Sequence, residues 1–329
     1  MAIRVVVALG CAPHRNAEHP TLIFDPSEFG RVFCFPPPPH VLMLRIALPN
    51  KGRLSDDARE LFRDAGLDLR SAGDRALVAT MGDEFEAIFV RAQDIPEFVA
   101  DGAADAGITG ADLIAESGRP LVELLDLEFG KCRLAVAIRD ESPVRSIEDI
   151  VGAPRVATVF PRITEQFFAA AGRAVTVVPV SGATEIAPHL GIADIIVDLV
   201  STGSTLKVNG LREVATVMLA SARLVAAQAT VDDPSRKDRL DELVTALGSV
   251  LRARGKRYLM ANVPRESLAQ VREVLPGING PTVVDILNGG SMVAVHAVVP
   301  SASIYRLTNQ LKALGGEGIL VTRIERITP

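Results

Sequence analysis

The sequence predicts an α/β protein built as two facing lobes and followed by a small βαββαβ module. Three observations point there. From residue 44 to about 226, short Val/Ile/Ala-rich runs alternate with helix-like stretches, and Gly marks many of the breaks, as in layered strands and helices. A weak echo lies inside that stretch: Gly102-Ala-Ala-Asp105 leads through a strand to Thr109-Gly110, and Gly191-Ile-Ala-Asp194 leads through a strand to Thr202-Gly203. Ligands of open α/β sheets bind at the carboxyl ends of strands, so two such units imply two lobes across a cleft. Chance repetition of so short a string is the competing reading. Beyond residue 256 the order becomes strand, helix, strand, strand, helix, strand.

In chain order, Leu44–Leu48 reads as a strand and Pro49-Asn-Lys-Gly-Arg53 as a loop. Ser55 is the expected N-cap of a helix that runs to about Ala65 and stops at Gly66. Glu86–Val90 reads as a strand. Asp94 is placed to cap a helix whose first turn carries Pro96. Ala104–Ile108, Leu134–Ile138, Val156–Phe160, Val175–Val180 and 194–198 follow as strands, with a helix over Ile163–Ala171. Buried Val/Ile/Ala runs predict mostly parallel pairing. Ala222–Ala226 reads as a strand and Pro234–Gly255 as a long helix. In the last segment, strands are expected at Arg257–Val263, Pro281–Ile286, Met292–Val299 and Gly318–Ile327, with helices at Pro264–Leu275 and Ser303–Leu314, the order of a ferredoxin-like module. The expected divisions are a non-native or disordered extension over 1–42, one lobe over 43–132 and 222–256, a second over 133–221, and the module over 257–329.

Composition removes several classes of function. A net charge of −5 over 329 residues offers no basic field for nucleic acid, and aromatics at 4% leave few stacking platforms. No apolar run reaches the length of a membrane span. Cys11, Cys34 and Cys132 fit no metal spacing and no disulfide framework, which suits reduced thiols in a cytoplasmic protein. Residues 1–42 lack periodicity and end in Phe35-Pro-Pro-Pro-Pro-His40, and Met43 is a natural starting point. An export signal is the alternative, but the apolar stretch Val5–Leu9 is short for a signal core.

The chemistry concentrates in Asp198-Leu-Val-Ser-Thr-Gly-Ser-Thr-Leu206. Ser201, Thr202, Gly203, Ser204 and Thr205 form a small polar turn whose amides and hydroxyls can converge on a phosphate, although a plain helix-capping turn has the same look. Asp198, at the strand end, suits ribose hydroxyls or a hydrated magnesium ion (Mg2+). Glu185 is either a ligand-facing carboxylate or an acid favoured in a first helical turn. Lys51 and Arg53 are either a pyrophosphate contact or a solvated basic loop, and the spacing of a P-loop is absent. Arg91 and Asp94 pair locally or face a ligand, and Asp112, after Thr109-Gly110, either caps a helix or lines a site. No zinc cluster, nucleophile elbow or Ser-His-Asp pattern stands out, which favours a reaction driven by binding and charge stabilisation.

LRIALPNKGRL (44–54), VRAQDIPEFVADGAADAGITGADL (90–113), LEFGKCRLAVA (127–137), ATVFPRIT (157–164) and SGATEIAPHLGIADIIVDLVSTGSTLKVNGL (181–211), with LPGINGPTVVDIL (275–287) and LKALGGEGILVTRIERI (311–327), together resemble the ATP phosphoribosyltransferase family in its long form. The resemblance covers nearly all of 43–329 and none of 1–42. It implies a two-lobed core like a periplasmic binding protein and a regulatory domain at the C-terminus. It also implies a reaction in histidine biosynthesis: N1 of ATP attacks C1 of 5-phosphoribosyl 1-pyrophosphate, with Mg2+ required and pyrophosphate leaving. By the same resemblance, Ser201–Thr205 hold the 5-phosphate, Asp198 lies by the ribose, and Lys51 and Arg53 meet nucleotide or pyrophosphate charge. Arg91, Thr109, Gly110 and Glu185 line the cleft, and Asp112 follows on the same turn. Histidine, the feedback inhibitor, is expected near Asn262, Ile278, Thr282 and Gly318. Asn262 replaces an acidic residue expected in some relatives, which leaves the strength of that binding open. A homo-hexamer assembled from dimers is implied as well. The reading from a different class is a non-catalytic two-lobed small-ligand-binding protein, which an export signal would favour and the basic loop disfavours.

Overall fold

The computed structural model describes residues 43–71, 76–275, 277–278, 280–287 and 290–328, and for Arg53 and Ser71 the backbone alone. The expectations for 1–42, Cys11 and Cys34 included, lie outside the described residues.

The chain starts with β1 (Leu44–Pro49), α1 (Arg53–Asp64), β2 (Leu69–Ser71), β3 (Val78–Met81), β4 (Phe85–Val90), α2 (Ile95–Ala100), β5 (Ala106–Gly110), α3 (Ala111–Ser117) and β6 (Leu121–Asp126). It then crosses to β7 (Cys132–Arg139), β8 (Arg155–Thr158), α4 (Pro161–Ala170), β9 (Thr176–Pro179), β10 (Ile195–Val200), α5 (Ser204–Val208) and β11 (Leu211–Ala220). It returns as β12 (Ala222–Ala227), α6 (Gln228–Asp232) and α7 (Pro234–Ala253), and ends in β13 (Lys256–Pro264), α8 (Leu268–Val274), β14 (Thr282–Asp285), β15 (Met292–Pro300), α9 (Ile304–Ala313) and β16 (Glu317–Arg323).

Among the described residues these strands form three sheets: β2-β3-β4-β1-β5-β12-β6, β11-β7-β10-β8-β9 and β14-β15-β13-β16. The first two are the lobes of a periplasmic-binding-protein-like core, because β12 returns to the first sheet after the whole second sheet has been built. That return corrects the expectation of mostly parallel pairing. β1 runs parallel to β4 and β5, and β8 parallel to β9 and β10, but β12 is antiparallel to both β5 and β6, and β7 to both β10 and β11. A strand that arrives from the other lobe enters from the opposite end, and local composition carries no sign of this. The edge strands β2, β6 and β11, and β3 next to β2, are not predicted from the sequence. β6 is half-buried or exposed along its length, and β11 is broken by two register shifts.

In the first lobe, Leu44, Ile46, Leu48 and Phe85 pack with Ala58, Leu61 and Phe62 of α1 and Leu240, Leu243 and Leu247 of α7 on one face of the sheet. The spacing 58, 61, 62 in α1 is the apolar stripe of an amphipathic helix. On the other face, Ala47 packs with Ile95 and Val99 of α2. Helix α1 starts three residues earlier than predicted. Gly52, in the left-handed region at φ +82°, is its N-cap, so Ser55 lies buried inside the first turn and caps nothing. The predicted stop at Gly66 (φ +74°) is present. In the second lobe, Leu134, Val136, Ile138, Val156, Phe168 and Val197 form one layer, and Ala135, Ala157, Ile196 and Leu206 the other. The last sheet has the strand order of a ferredoxin-like fold, and α8 and α9 cover one face through Val271, Leu307 and Leu311.

The echo has a physical basis at the amino ends of the strands. The Arg45 amide donates to Asp105 (2.7 Å) while the Asp105 amide donates to the Arg45 carbonyl (2.8 Å). Arg155 and Asp194 repeat the exchange in the second lobe, at 2.9 Å in both directions. Each Asp fixes the register of its strand against its parallel neighbour.

Candidate active site

Strand β10 delivers its turn into the space between the lobes. Ser201 and Leu199, with Gly110 and Asp112 of the first lobe, line a cavity of about 270 Å³ beside the crossing segments. Gly203, at φ +78°, is the N-cap of α5, a conformation that favours glycine. The Thr202 and Ser204 hydroxyls are 2.9 Å apart, and Ser201, Thr202, Ser204 and Thr205 all reach solvent. Because α5 has only five residues, the anion-binding capacity resides in the turn's amides and hydroxyls rather than in a helix dipole.

Asp198 is half-buried just before that turn, and its carboxylate accepts the Leu199 amide at 2.7 Å. Burial raises its pKa above the ordinary carboxylate value. The Leu199 amide opposes that shift, the charge of nearby Glu185 adds to it, and the Thr184 hydroxyl opposes it. The structure thus brings Glu185 and Asp198 together, two carboxylates on a short 3-10 turn (Thr184–Ile186) and a strand end.

In the first lobe, parallel pairing places Pro49 of β1 opposite Val90 of β4, and the Asn50 amide donates to the Val90 carbonyl at 2.8 Å. Lys51 and Arg91 therefore leave neighbouring strands at the same end, and both are exposed. Arg53 opens α1. The predicted local pairing of Arg91 with Asp94 is absent among the described residues. The Asp94 amide instead donates to the Arg91 carbonyl (2.9 Å) in a 3-10 turn, and the Asp94 side chain makes no capping bond to α2. Thr109 is fully buried, and its hydroxyl donates to the Ala92 carbonyl at 2.7 Å, so it ties the Arg91 turn to β5 rather than facing the gap. Asp112 is buried at the start of α3, and burial raises its pKa against the amides of Asp112 and Leu113. A Cβ at Gly110 would collide with the Asp112 carboxylate, so a side chain there would displace that carboxylate.

Sequence reasoning missed Arg133 and Glu213, which bond to each other beneath the turn. Arg133 also reaches the Ser201 carbonyl. Its partners lie 80 and 68 positions away, so no local signal marks it.

In the C-terminal sheet, Asn262 and Gly318 are close neighbours: a Cβ at Gly318 (φ +59°) would sit 3.4 Å from the Asn262 amide nitrogen. Thr282 opens β14 on the opposite edge of the sheet, about 14 Å from β16 at ordinary strand spacing, and exposed Ile278 precedes it. The four residues do not converge within one chain.

Fold and site define the class first: a two-lobed α/β protein with a polar turn in its gap, cations on one side and a carboxylate pair on the other. The "ATP phosphoribosyltransferase" family pattern matches residues 91–249, and "HisG, C-terminal domain" matches 253–326. An ATP phosphoribosyltransferase from Gemmatimonas aurantiaca is 69% identical over 292 residues, covering 87% of this chain and 100% of that protein. One from Natronomonas pharaonis is 50% identical over 287 residues, with coverage of 87% and 100%. Among solved structures, an ATP phosphoribosyl transferase (HisG:HisZ) complex from Thermotoga maritima aligns with a TM-score of 0.57 at 26% identity, over 64% of this chain and 99% of that one. The chain belongs to the ATP phosphoribosyltransferase family, in its long form, and is a transferase of histidine biosynthesis.

Enzymes of this family need a divalent metal. Among the described residues no group of three or more His, Cys, Asp and Glu could hold one. The Asp198–Glu185 pair offers hard oxygen donors that suit an ion coordinated largely by substrate phosphates and water. Among the described residues no helix is long and apolar enough to cross a membrane.

Proposed function

We propose that the gap between the lobes binds 5-phosphoribosyl 1-pyrophosphate by its 5-phosphate on Ser201–Thr205 and joins it to N1 of ATP. The observation behind this reading is that Ser201 faces the same cavity as Gly110 and Asp112, with Asp198 at the root of the turn. Residues 43–132 with 222–256 form one lobe, 133–221 the other, and 257–329 the regulatory domain. The turn's amides and hydroxyls hold the phosphate, and the Asp198 carboxylate accepts from the ribose hydroxyls. Lys51, Arg53 and Arg91 meet the charge of pyrophosphate and nucleotide at the far side of the gap.

Adenine N1 bonds to C1 as the C1–oxygen bond breaks. The bonding pair leaves with pyrophosphate, and the adenine amino group loses a proton to solvent. The ribose gains cationic character on the way, so anions beside the ribose and cations beside the pyrophosphate both stabilise the transition state. Asp198 and Glu185 would be the protein donors to a bound Mg2+, which would supply further charge neutralisation. Two substrates held in line replace a bimolecular encounter, and no covalent enzyme intermediate is needed.

Histidine inhibits through the C-terminal domain. Gly318 lies on the edge strand β16 beside Asn262 of β13, and Ile278 and Thr282 lie toward the other edge, so a complete pocket joins the edges of two chains in a homo-hexamer built from dimers. The protein works in the cytoplasm. Purified protein given ATP and 5-phosphoribosyl 1-pyrophosphate, with pyrophosphatase coupled, should form phosphoribosyl-ATP with Mg2+ and none in chelator. Folded protein without turnover would reject the assignment.

A further inference from the structure

Beneath the phosphate turn lies a charged pair outside all of the roles above. Arg133 enters β7 between the ends of β10 and β11, opposite Val200 on one side and Leu219 on the other. Its Nε donates to the Glu213 oxygens at 2.8 and 3.0 Å, and Nη2 donates to Oε2 at 2.7 Å. The remaining nitrogen, Nη1, donates to the Ser201 carbonyl at 3.2 Å. The Thr216 hydroxyl donates to Glu213 from the other side at 3.2 Å. Ala135 and Ala137, two and four residues along β7, share a strand face with Arg133. Glu213 stands opposite Ala137, so these small side chains leave room for the guanidinium and carboxylate to meet.

The consequence lies in the peptide group that Arg133 grips. In a trans peptide the C=O and N–H point in opposite directions. Holding the Ser201 carbonyl toward the guanidinium therefore turns the Thr202 N–H away from it. We propose that the Arg133–Glu213 pair is a positioning strut that sets the Ser201–Thr202 peptide with its amide toward the bound sugar phosphate. The inference rests on the reading of Ser201–Thr205 as the phosphate turn. The hydrogen bond from Arg133 first, then its charge, holds the Glu213 carboxyl below its usual range against partial burial. The pair stays ionised at neutral pH, and Glu213 offsets the guanidinium charge. What reaches the turn is a directed donor rather than a net cation. A lysine cannot take the place of Arg133, because a single ammonium does not present the planar fork that grips Glu213 and Ser201 at once.

The sign of one substitution separates a strut from a direct phosphate ligand. Glu213→Gln, Arg133→Lys, Arg133→Met and the turn variant Thr205→Ala would be prepared in the full chain. Each would be measured for KM of both substrates, kcat, calorimetric affinity for ribose 5-phosphate and melting temperature. The strut predicts that Glu213→Gln and both Arg133 variants weaken ribose 5-phosphate binding and raise KM for the phosphoribosyl donor about tenfold, the scale of one charge-assisted hydrogen bond. KM for ATP should stay within about twofold under the same principle. Thr205→Ala should weaken the same ligand. Tighter binding in Glu213→Gln would mean that the released Arg133 charge contacts the phosphate itself, and would overturn the strut. Wild-type behaviour of Arg133→Lys would overturn it too, because a point charge would then suffice. If Thr205→Ala weakens binding while the Glu213 and Arg133 variants do not, the phosphate turn stands and the strut falls. If Thr205→Ala leaves ribose 5-phosphate binding intact, the turn assignment falls, and the strut with it. Glu213→Gln is nearly isosteric, so it keeps the test decisive if an Arg133 variant fails to fold.

Discussion

At the scale of single residues, half-buried Asp198 and buried Asp112 matter most. Burial holds Asp198 and Asp112 above the ordinary carboxylate pKa, so folding disfavours their charge. The folded state keeps these protons to higher pH than the unfolded chain does. Their contribution to stability therefore improves as pH falls from the raised values toward about 3.9, and is unfavourable above that window. Function runs the other way if ionised Asp198 accepts from the ribose. Asp198→Asn should melt at higher temperature than wild type at neutral pH, yet lose roughly 10- to 150-fold in kcat/KM, the cost of about 1.5–3 kcal/mol for a hydrogen bond to a charged group. The acid limb of the wild-type pH–rate profile should lie above the range of an ordinary aspartate and vanish in this variant. A rise in kcat/KM, or a fall in melting temperature, would contradict these assignments. Thr109 carries a second residue-scale prediction. Thr109→Val leaves the Ala92 carbonyl without its 2.7 Å donor and should cost about 1–3 kcal/mol in urea unfolding.

At the scale of elements, packing on the sheets sets the position of the loops at the strand ends. Helix α2, which follows the Arg91 turn, lies so close to β5 that a Cβ at Gly107 would stand 2.5 Å from Ile95 Cγ2 and 3.0 Å from Val99 Cγ2. Both neighbours are β-branched and stiff at χ1. Gly107→Ala should therefore destabilise by about 1–3 kcal/mol through overpacking, read from the denaturant midpoint at unchanged m-value. The two Asp anchors give an ordered pair. Asp194 is exposed and holds only its neighbouring strand, whereas Asp105 is buried and also pairs with Arg236 in α7. Asp194→Ala should cost about 1 kcal/mol, and Asp105→Ala clearly more, because it leaves backbone and guanidinium donors unpaired together. Equal costs would mean that the Arg236 contact adds nothing.

At the scale of the whole molecule, the lobes are joined by two chain crossings that bond to each other. The Leu127 amide donates to the Ala222 carbonyl and the Ala222 amide to the Phe129 carbonyl, both at 2.9 Å, while the Ser221 hydroxyl donates to Asp126 at 2.9 Å. The C-terminal sheet has its own apolar core, separate from the core that α7 shares with the first lobe. It is tied back to α7 where the Ile327 amide donates to the Ser249 carbonyl and Arg252 Nε to the Ile327 carbonyl, both at 2.9 Å. Removing 257–329 should therefore leave the lobes folded by circular dichroism and abolish inhibition by histidine. Inhibition retained in the truncated chain would place the histidine site elsewhere.

Much of this molecule is legible in the order of its residues. Short apolar runs ending at glycines mark most of the strands and helices, because local sterics and burial dictate both. The run Asp198–Thr205 marks a polar turn, because only small residues and a glycine at φ +78° make one there. Tertiary structure alone decided the direction of β12, the pairing of the edge strands, the burial of Thr109 and the union of Arg133 with Glu213. Each of these depends on residues far apart in the chain meeting at one place. Local propensity holds no record of which distant partner a strand or side chain will find; the packing of whole lobes makes that choice.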